Sequence, residues 1–395
     1  MIYSIFSYIN HRMRHIRHHH HASHTMQPLF RLAEVNWFIV LVAAVIAGIG
    51  LAMMYSAGGG ESTLYLSQQF SRFAVAFFLM LILAVMPMHL LMEYAYVFYF
   101  ACLLVLIGVD IAGHIGMGAK RWLKLGGLNL QPSEFMKLAV ILVLARYFQQ
   151  THAEDIPRPQ FLIIPIIIVA LPAIFILRQP NLGTTTILLC VGAIMCFLAG
   201  VQWRYFIGAG LGVLAATPVI WHFMHGYQKR RVLTFLDPQQ DPLGAGYNIL
   251  QSMIAIGSGG LLGKGYLQGS QSQLNFLPEK HTDFVFTMLA EEFGFFGSLA
   301  LLLLYIALLG AGMLTALRSR STFGAMVAAG VVALIFIHIL INCGMVMGLM
   351  PVVGVPLPLM SYGGSIMISS LCAIGLLLNS YVNREKLPMR GTLKM

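Results

Sequence analysis

The sequence predicts an all-α integral membrane fold: ten transmembrane helices with one large extracytoplasmic loop between the seventh and eighth. Three observations predict it. The 395 residues are 58% hydrophobic and only 10% charged, with a mean hydropathy of +0.79. A soluble chain of this size needs a polar shell that so few charges cannot build, so the apolar excess must face lipid. Apolar runs recur that are long enough to span a hydrocarbon core of ~30 Å, which takes ~20 residues. One polar stretch, residues 224–283, has domain-like length.

The elements follow in order. Residues 1–36 form an N-terminal extension expected to be disordered, since Arg12, Arg14, Arg17 and the run His18–His21 surround no packed pattern and a second methionine, Met26, precedes the first span. The histidine tract is only compositional evidence for metal binding. No cleavable signal peptide is evident, because the first apolar run is too long and others follow it. Spans fall at about residues 37–57, 70–88, 90–113, 133–149, 160–177, 183–201, 204–223, 284–316, 323–348 and 365–383. The third and eighth are least sharply bounded, and the eighth is long enough to include an extramembrane turn or a break near Gly294. Residues 37–383 thus form one membrane domain, and 384–395 a tail. An even number of spans puts both termini on one side. Arg31, Arg146, Arg158, Arg318, Arg320 and Arg384 crowd that side, which the positive-inside rule makes the cytoplasm.

The opposite face holds the loops 114–132, 178–182, 224–283 and 349–364. Against the orientation rule they carry Lys120, Arg121, Lys124, Arg178, Lys229, Arg230, Arg231, Lys264 and Lys280. Either an anionic ligand or lipid headgroups would account for that charge. The net charge of +10 forms no single stripe, so nucleic-acid binding is not indicated. The five cysteines lie inside apolar runs without a CxxC, which reads as core packing rather than a zinc site or disulfide framework. No internal repeat is visible, so a transporter of inverted repeats has no positive support.

The glycine-rich stretch GSGGLLGKG at 257–265 fails as a phosphate loop. Ser258 stands where the Walker spacing needs glycine, and Gly265 where it needs Ser or Thr. A close-packed turn folding back against the membrane fits better, with Lys264 left as a lone charge for a phosphate. Glu134 and Lys137 open the fourth span as PSEFMK, where i, i+3 spacing lets them pair. They read either as a structural pair, with Ser133 a candidate cap, or as the lining of a site open to the outer face. Glu291 and Glu292 read as buried carboxylates bonded to neighbouring helices, and Asp110 likewise. His281-Thr282-Asp283 stands where the long loop meets the eighth span. A carboxyl there is partly desolvated and its pKa tends upward, opposed by Lys280 and His281. Such a group can serve as a general base or as a helix cap.

FLDPQQDPLGAGYNILQSMIAIGSGGLLGKGYLQGSQSQLNFLPEKHTDFVF, with GAKRWLKLGGLNLQPSEFMKLAV (118–140) and GVPLPLMSYGGS (354–365), resembles the SEDS family of cell-wall polymerases, its elongation branch more than its division branch. The resemblance runs from about residue 37 to the C-terminal tail. It implies a ten-helix protein of the bacterial inner membrane, with the large loop outside the cytoplasm, and peptidoglycan glycosyltransferase activity on lipid II. The family's essential aspartate falls on Asp283, and its Glu–Lys pair on Glu134 and Lys137. In RQPNLGTT, Asn181 replaces an aspartate common in the family, which removes a charge from that position. A class B penicillin-binding protein, a transpeptidase, is the partner implied.

In such a reaction a sugar hydroxyl attacks C1 of a sugar whose leaving group is a polyprenyl diphosphate. Asp283 would take the proton. Lys120, Arg121, Arg178 and the cluster Lys229–Arg230–Arg231 are candidates to hold the diphosphate, with Arg favoured for bidentate contacts. Lys280 and His281 flank the base, and Glu134 and Lys137 complete the candidate substrate-binding set. No cofactor is required, although a divalent cation could assist. The competing class is transport, in which the same helices flip lipid II; a scaffold for partners is a third reading.

Overall fold

A computed structural model describes residues 28–60, 64–112, 114–116, 119–125, 128–152, 154–156, 158–224, 226–240, 244–274, 276–277 and 279–385. Inside a bilayer the backbone has no water to bond, so apolar runs must satisfy themselves as helices. A short helix α1 (Pro28–Ala33) leads into α2 (Trp37–Ala57) and α3 (Leu64–Val85). The third expected span divides into α4 (Met88–Glu93) and α5 (Ala95–Ala112). Arg146 takes the last carbonyls of α4, at Met92 and Glu93, at 2.8 and 2.7 Å. Then come α6 (Pro132–Gln150), α7 (Ile163–Arg178), α8 (Leu182–Ala199) and α9 (Trp203–Phe223). The polar stretch folds into α10 (Gly226–Leu236), α11 (Ala245–Gly259) and α12 (Ser270–Gln273). The chain closes with α13 (Val285–Arg318), α14 (Thr322–Val346) and α15 (Gly364–Val382).

Helix thus stands over every expected apolar segment. Among the described residues, seven helices are long and apolar enough by themselves to cross a membrane. α6, which carries Glu134, Lys137 and Arg146, is not among them. The chain is a multi-pass membrane protein. α6, α14 and α15 are buried along most of their length, and around them α2, α3, α7 and α9 turn Leu41, Phe78, Ile166 and Leu214 outward, as lipid-facing helices do.

Two expectations need correction. The fold is not purely helical: between α5 and α6 lie β1 (His114–Gly116), β2 (Ala119–Leu125) and β3 (Leu128–Leu130), an antiparallel sheet in the order β1-β2-β3. β2 and β3 pair Leu123 with Leu130 and Leu125 with Leu128 across the Gly126-Gly127 sequence, a hairpin signal hidden in a short stretch. The extension is also not unstructured throughout. α1 occupies residues 28–33, and Arg31 Nη1 donates to the Val85 carbonyl at the end of α3 at 3.0 Å. Residues 1–27, with the histidine run, lie outside the described residues.

α13 does break at Gly294 (φ 66°, ψ −158°). The backbone groups freed there pair with the glycine-rich stretch. Phe295 N donates to Gly260 O at 2.9 Å and Phe296 N to Leu261 O at 3.2 Å. In return Lys264 N donates to Glu291 O and Gly265 N to Glu292 O, both at 3.0 Å. The two segments approach so closely that a Cβ on Gly259 would lie 2.1 Å from Ala290 O, and one on Gly263 2.1 Å from Glu292 O. Gly259 and Gly263 therefore serve close packing, as expected of this stretch.

Candidate active site

Asp283 sits on the turn that leads into α13, and the backbone around it is fastened at three successive carbonyls. His281 O accepts from Tyr362 N at 2.8 Å. Thr282 O accepts from Ser361 Oγ at 2.6 Å. Asp283 O accepts from Asn342 Nδ2 at 2.9 Å. The segment between α14 and α15 supplies the clamp and is itself tied down. Asn342 also donates to Val355 O at 2.7 Å, Leu357 N donates to Ser361 Oγ at 2.8 Å, and Gln69 Nε2 donates to Ser361 O at 3.0 Å. Asn342, Ser361 and Gln69 are buried. Sequence reasoning assigned none of them a role. The signal was there for Asn342, a polar side chain inside an apolar span, which needs a partner where water is absent.

The Asp283 side chain is only partly exposed, and its pKa is pushed up to about 7. Burial is the main cause, the nearby Glu279 adds to it, and Arg231 opposes it. The upward shift was expected, but the opposing cation was not: Arg231 takes that part, rather than Lys280 or His281. Capping does not explain Asp283, since the N-cap of α13 is Phe284 and makes no side-chain bond.

The other candidate cations divide. Of the α10 cluster, Arg231 reaches the field of Asp283, Lys229 Nζ donates to His222 O at 3.3 Å and Arg230 is exposed. Lys280 Nζ donates to Ser272 O at 2.7 Å. His281 lies against the rings of Tyr65 and Tyr362, at 5.1 and 5.7 Å between centroids, and burial holds its imidazole below the usual pKa. Arg178 ends α7, exposed. Lys120 and Arg121 lie on β2, with side chains outside the described residues, as are those of Lys124 and Asp110. Ser365 Oγ ties the sheet's end to α15, accepting from Gln131 N at 2.8 Å and donating to Asn129 O at 3.1 Å. Lys264 is not a lone charge: it pairs with Glu291 at 2.8 Å.

Glu134 and Lys137 pair at 2.8 Å, both buried. Lys137 Nζ also meets His338 Nε2 at 2.9 Å, and Ser369 Oγ donates to Glu134 Oε2 at 3.0 Å. The network joins α6, α14 and α15 around a void of ≈ 10 Å³ that Pro358 also lines. The pair is thus buried among three helices, and His338 is a member that the sequence reading missed. Ser133 does not cap α6: Gln131 holds that position, and among the described residues Ser133 Oγ has no partner. Glu291 and Glu292 are buried as expected, but Glu291 serves the polar segment rather than a neighbouring helix. It accepts from Gln271 N at 2.8 Å and from Ser272 N at 3.2 Å, while Glu292 accepts from Ser56 Oγ of α2. Among the described residues no group of three or more His, Cys, Asp or Glu is placed to hold a metal ion.

The sequence family described as cell cycle protein, FTSW_RODA_SPOVE, matches residues 34–386. The chain belongs to this family. Peptidoglycan glycosyltransferase MrdB of Escherichia coli (strain K12) is 41% identical over 355 residues, 90% of this chain and 95% of that protein. A chain from the solved structure "Structural coordination of polymerization and crosslinking by a peptidoglycan synthase complex" superposes with a TM-score of 0.78 at 31% identity, covering 89% of this chain and 99% of that one. The rod shape determining protein RodA of Thermus thermophilus superposes with a TM-score of 0.68 at 28% identity, covering 89% and 98%. Within this FtsW/RodA/SpoVE fold the departure at Asn181 acquires a local meaning. Asn181 caps α8, its side chain accepting from Thr184 N at 3.3 Å, and that duty needs no charge.

Proposed function

We infer that this chain is a peptidoglycan glycosyltransferase that polymerises lipid II into glycan strands during cell elongation, with Asp283 as its general base. The observation that carries the reading is Asp283 itself. It is a carboxyl with a pKa near 7, on a backbone clamped at three carbonyls, in a chain similar over 90% of its length to a glycosyltransferase of that name. A base works best when its pKa lies near the operating pH.

The acceptor sugar's hydroxyl attacks C1 of the donor sugar as the bond from C1 to the diphosphate oxygen breaks. The hydroxyl proton passes to Asp283, and the anomeric centre inverts. The diphosphate leaves as a stable anion, so it needs cations more than a proton donor. One carboxylate therefore suffices where glycoside hydrolysis uses two. Arg231 is the cation whose charge bears on Asp283, with Lys120, Arg121 and Arg178 as further candidates at the loops. A divalent cation could share the diphosphate's charge.

In this reading the site faces outward from a bacterial inner membrane, ten spans put both termini in the cytoplasm, and a class B penicillin-binding protein cross-links the product. The solved peptidoglycan synthase complex supports such a partnership by its likeness. The deciding experiment gives purified chain in detergent lipid II as sole substrate. Wild type is expected to make glycan strands and Asp283→Asn none, with unchanged helicity. Strands from the mutant would sink the base assignment. A wild-type chain that makes none, yet moves lipid II between leaflets of vesicles, would be a flippase.

A further inference from the structure

Four residues of α3, Tyr65, Gln68, Gln69 and Arg72, fall at helical spacing on one face, and all four touch the clamp around Asp283. Tyr65 lies against His281 and meets Tyr362 edge-on at 5.3 Å. Gln68 Oε1 accepts from the Tyr362 hydroxyl at 2.6 Å. Gln69 holds Ser361, and its Oε1 accepts from Gly363 N at 3.2 Å. Arg72 lays its guanidinium over the Tyr362 ring, 4.9 Å from the centroid.

Arg72 differs from its neighbours in what it lacks. It is half-buried, yet among the described residues no carboxylate forms an ion pair with it. Among the described residues its side chain makes one hydrogen bond, from Nη2 to Gln68 Oε1 at a long 3.4 Å. A guanidinium has five N–H donors in a fixed fork. Here the ring of Tyr362 orients the fork and most of its donors remain available. Beside it runs the Gly363-Gly364 backbone, where a Cβ on Gly364 would come within 3.4 Å of Arg72 Cδ and Nε. Arg72 lies eight residues into α3, about 12 Å along the axis, inside an apolar span where a charged side chain is costly without a reason to be there. An oriented, partly desolvated guanidinium with no counter-charge among the described residues suits a planar oxyanion pair.

We propose that Arg72 binds the diphosphate of the lipid-linked sugar whose reacting end reaches Asp283. The proposal rests on the glycosyltransferase reading above and adds a residue to it. The same chemistry would also hold the headgroup of an ordinary anionic phospholipid, so the test separates the two sources.

Full-length wild type, Arg72→Gln, Arg72→Lys and Asp283→Asn are placed in lipid discs of zwitterionic lipid, with and without an anionic phospholipid. Polymerisation is followed over a range of lipid II concentrations. Arg72→Gln is expected to raise the KM for lipid II by about tenfold or more, the loss of one charge-assisted bond, with kcat little changed and the same result in both lipids. Arg72→Lys, which keeps charge but loses the fork, falls between. In parallel, inorganic diphosphate raises the melting temperature of wild type and not of Arg72→Gln; should Arg72→Gln fail to fold, Arg72→Lys carries both measurements. An unchanged KM, with wild type active and Asp283→Asn inactive, overturns the proposal and leaves the base assignment standing. A KM effect confined to discs with anionic phospholipid also overturns it, in favour of headgroup binding. A wild type that forms no strands in any disc removes the glycosyltransferase reading itself, and the proposal with it.

Discussion

Asn342 Nδ2 donates to the carbonyl oxygen of Asp283 at 2.9 Å, from a position on α14 that is 0% exposed. The same amide holds Val355 O, so one side chain fixes both the turn that carries the base and the segment that faces it. Asn342→Ala leaves two carbonyls without that donor, at about 1–3 kcal/mol for each buried group. The variant is expected to melt lower and to lose kcat rather than lipid II affinity, since the base drifts from its place. Kinetics showing full kcat would remove Asn342 from the positioning role.

The pKa of Asp283, near 7, gives a rate profile. A base must be ionised, so polymerisation should rise with pH through about 7 and level off above it. That acid limb is expected in wild type, read as initial rate against pH in detergent. A flat profile from pH 5 to 8 would argue against Asp283 as the proton acceptor.

Stability should run the other way. The folded chain holds the Asp283 proton more tightly than the unfolded chain does. Between the ordinary carboxylate value and about 7, rising pH therefore removes a proton that folding favours, and stability falls; above about 7 that loss is complete. Asp283→Asn has no proton to lose. It is expected to melt above wild type at pH 8 and level with it at pH 4, a comparison that differential scanning can make.

Glu134 and Lys137 form a buried pair, in which removal of one partner strands the other. Glu134→Gln and Lys137→Met singly should each cost about 3–5 kcal/mol, while the double variant recovers much of that. Activity is expected to fall in all three, because Pro358 of the clamp segment lines the same void. Strictly additive melting shifts in a double-mutant cycle would show that the two charges act independently.

Gly257 and Gly259 are two residues apart and should respond oppositely. A Cβ on Gly257 meets nothing within 4 Å, and one on Gly259 would sit 2.1 Å from Ala290 O. Gly257→Ala should be neutral or stabilising by up to about 1 kcal/mol. Gly259→Ala must part the loop from α13 and is expected to unfold the junction, with limited proteolysis as the readout.

Much of this architecture was legible in the sequence because lipid reports itself in composition. The helical segments follow from run length, and the excess length of the eighth left a choice between an extramembrane turn and the break at Gly294 that the structure has. The candidate site was marked in the sequence at Asp283, Glu134 and Lys137, which sit in recognisable motifs. What escaped were contacts between distant stretches. Asn342 lies 59 residues from Asp283, and Ser361 79 residues from Thr282; periodicity carries no information over such separations. His338 and Arg72 hid inside apolar runs, where the eye counts hydropathy and passes single polar letters. The sheet before α6 was missed because β2 alternates over too few residues to stand out from a loop.

The four backbone bonds between residues 260–265 and 291–296 also impose an order on biosynthesis. The glycine-rich stretch leaves the ribosome about 30 residues before its partner, which at ~5–20 residues per second is roughly 2–6 s. During that interval its amides and carbonyls lack their final partners. They acquire them when the kink at Gly294 has been made and the remainder of α13 begins to enter the bilayer. Closure of the loop therefore waits on residues 291–296, and a nascent chain stalled before Gly294 would hold an unfinished loop for chaperones and proteases to find.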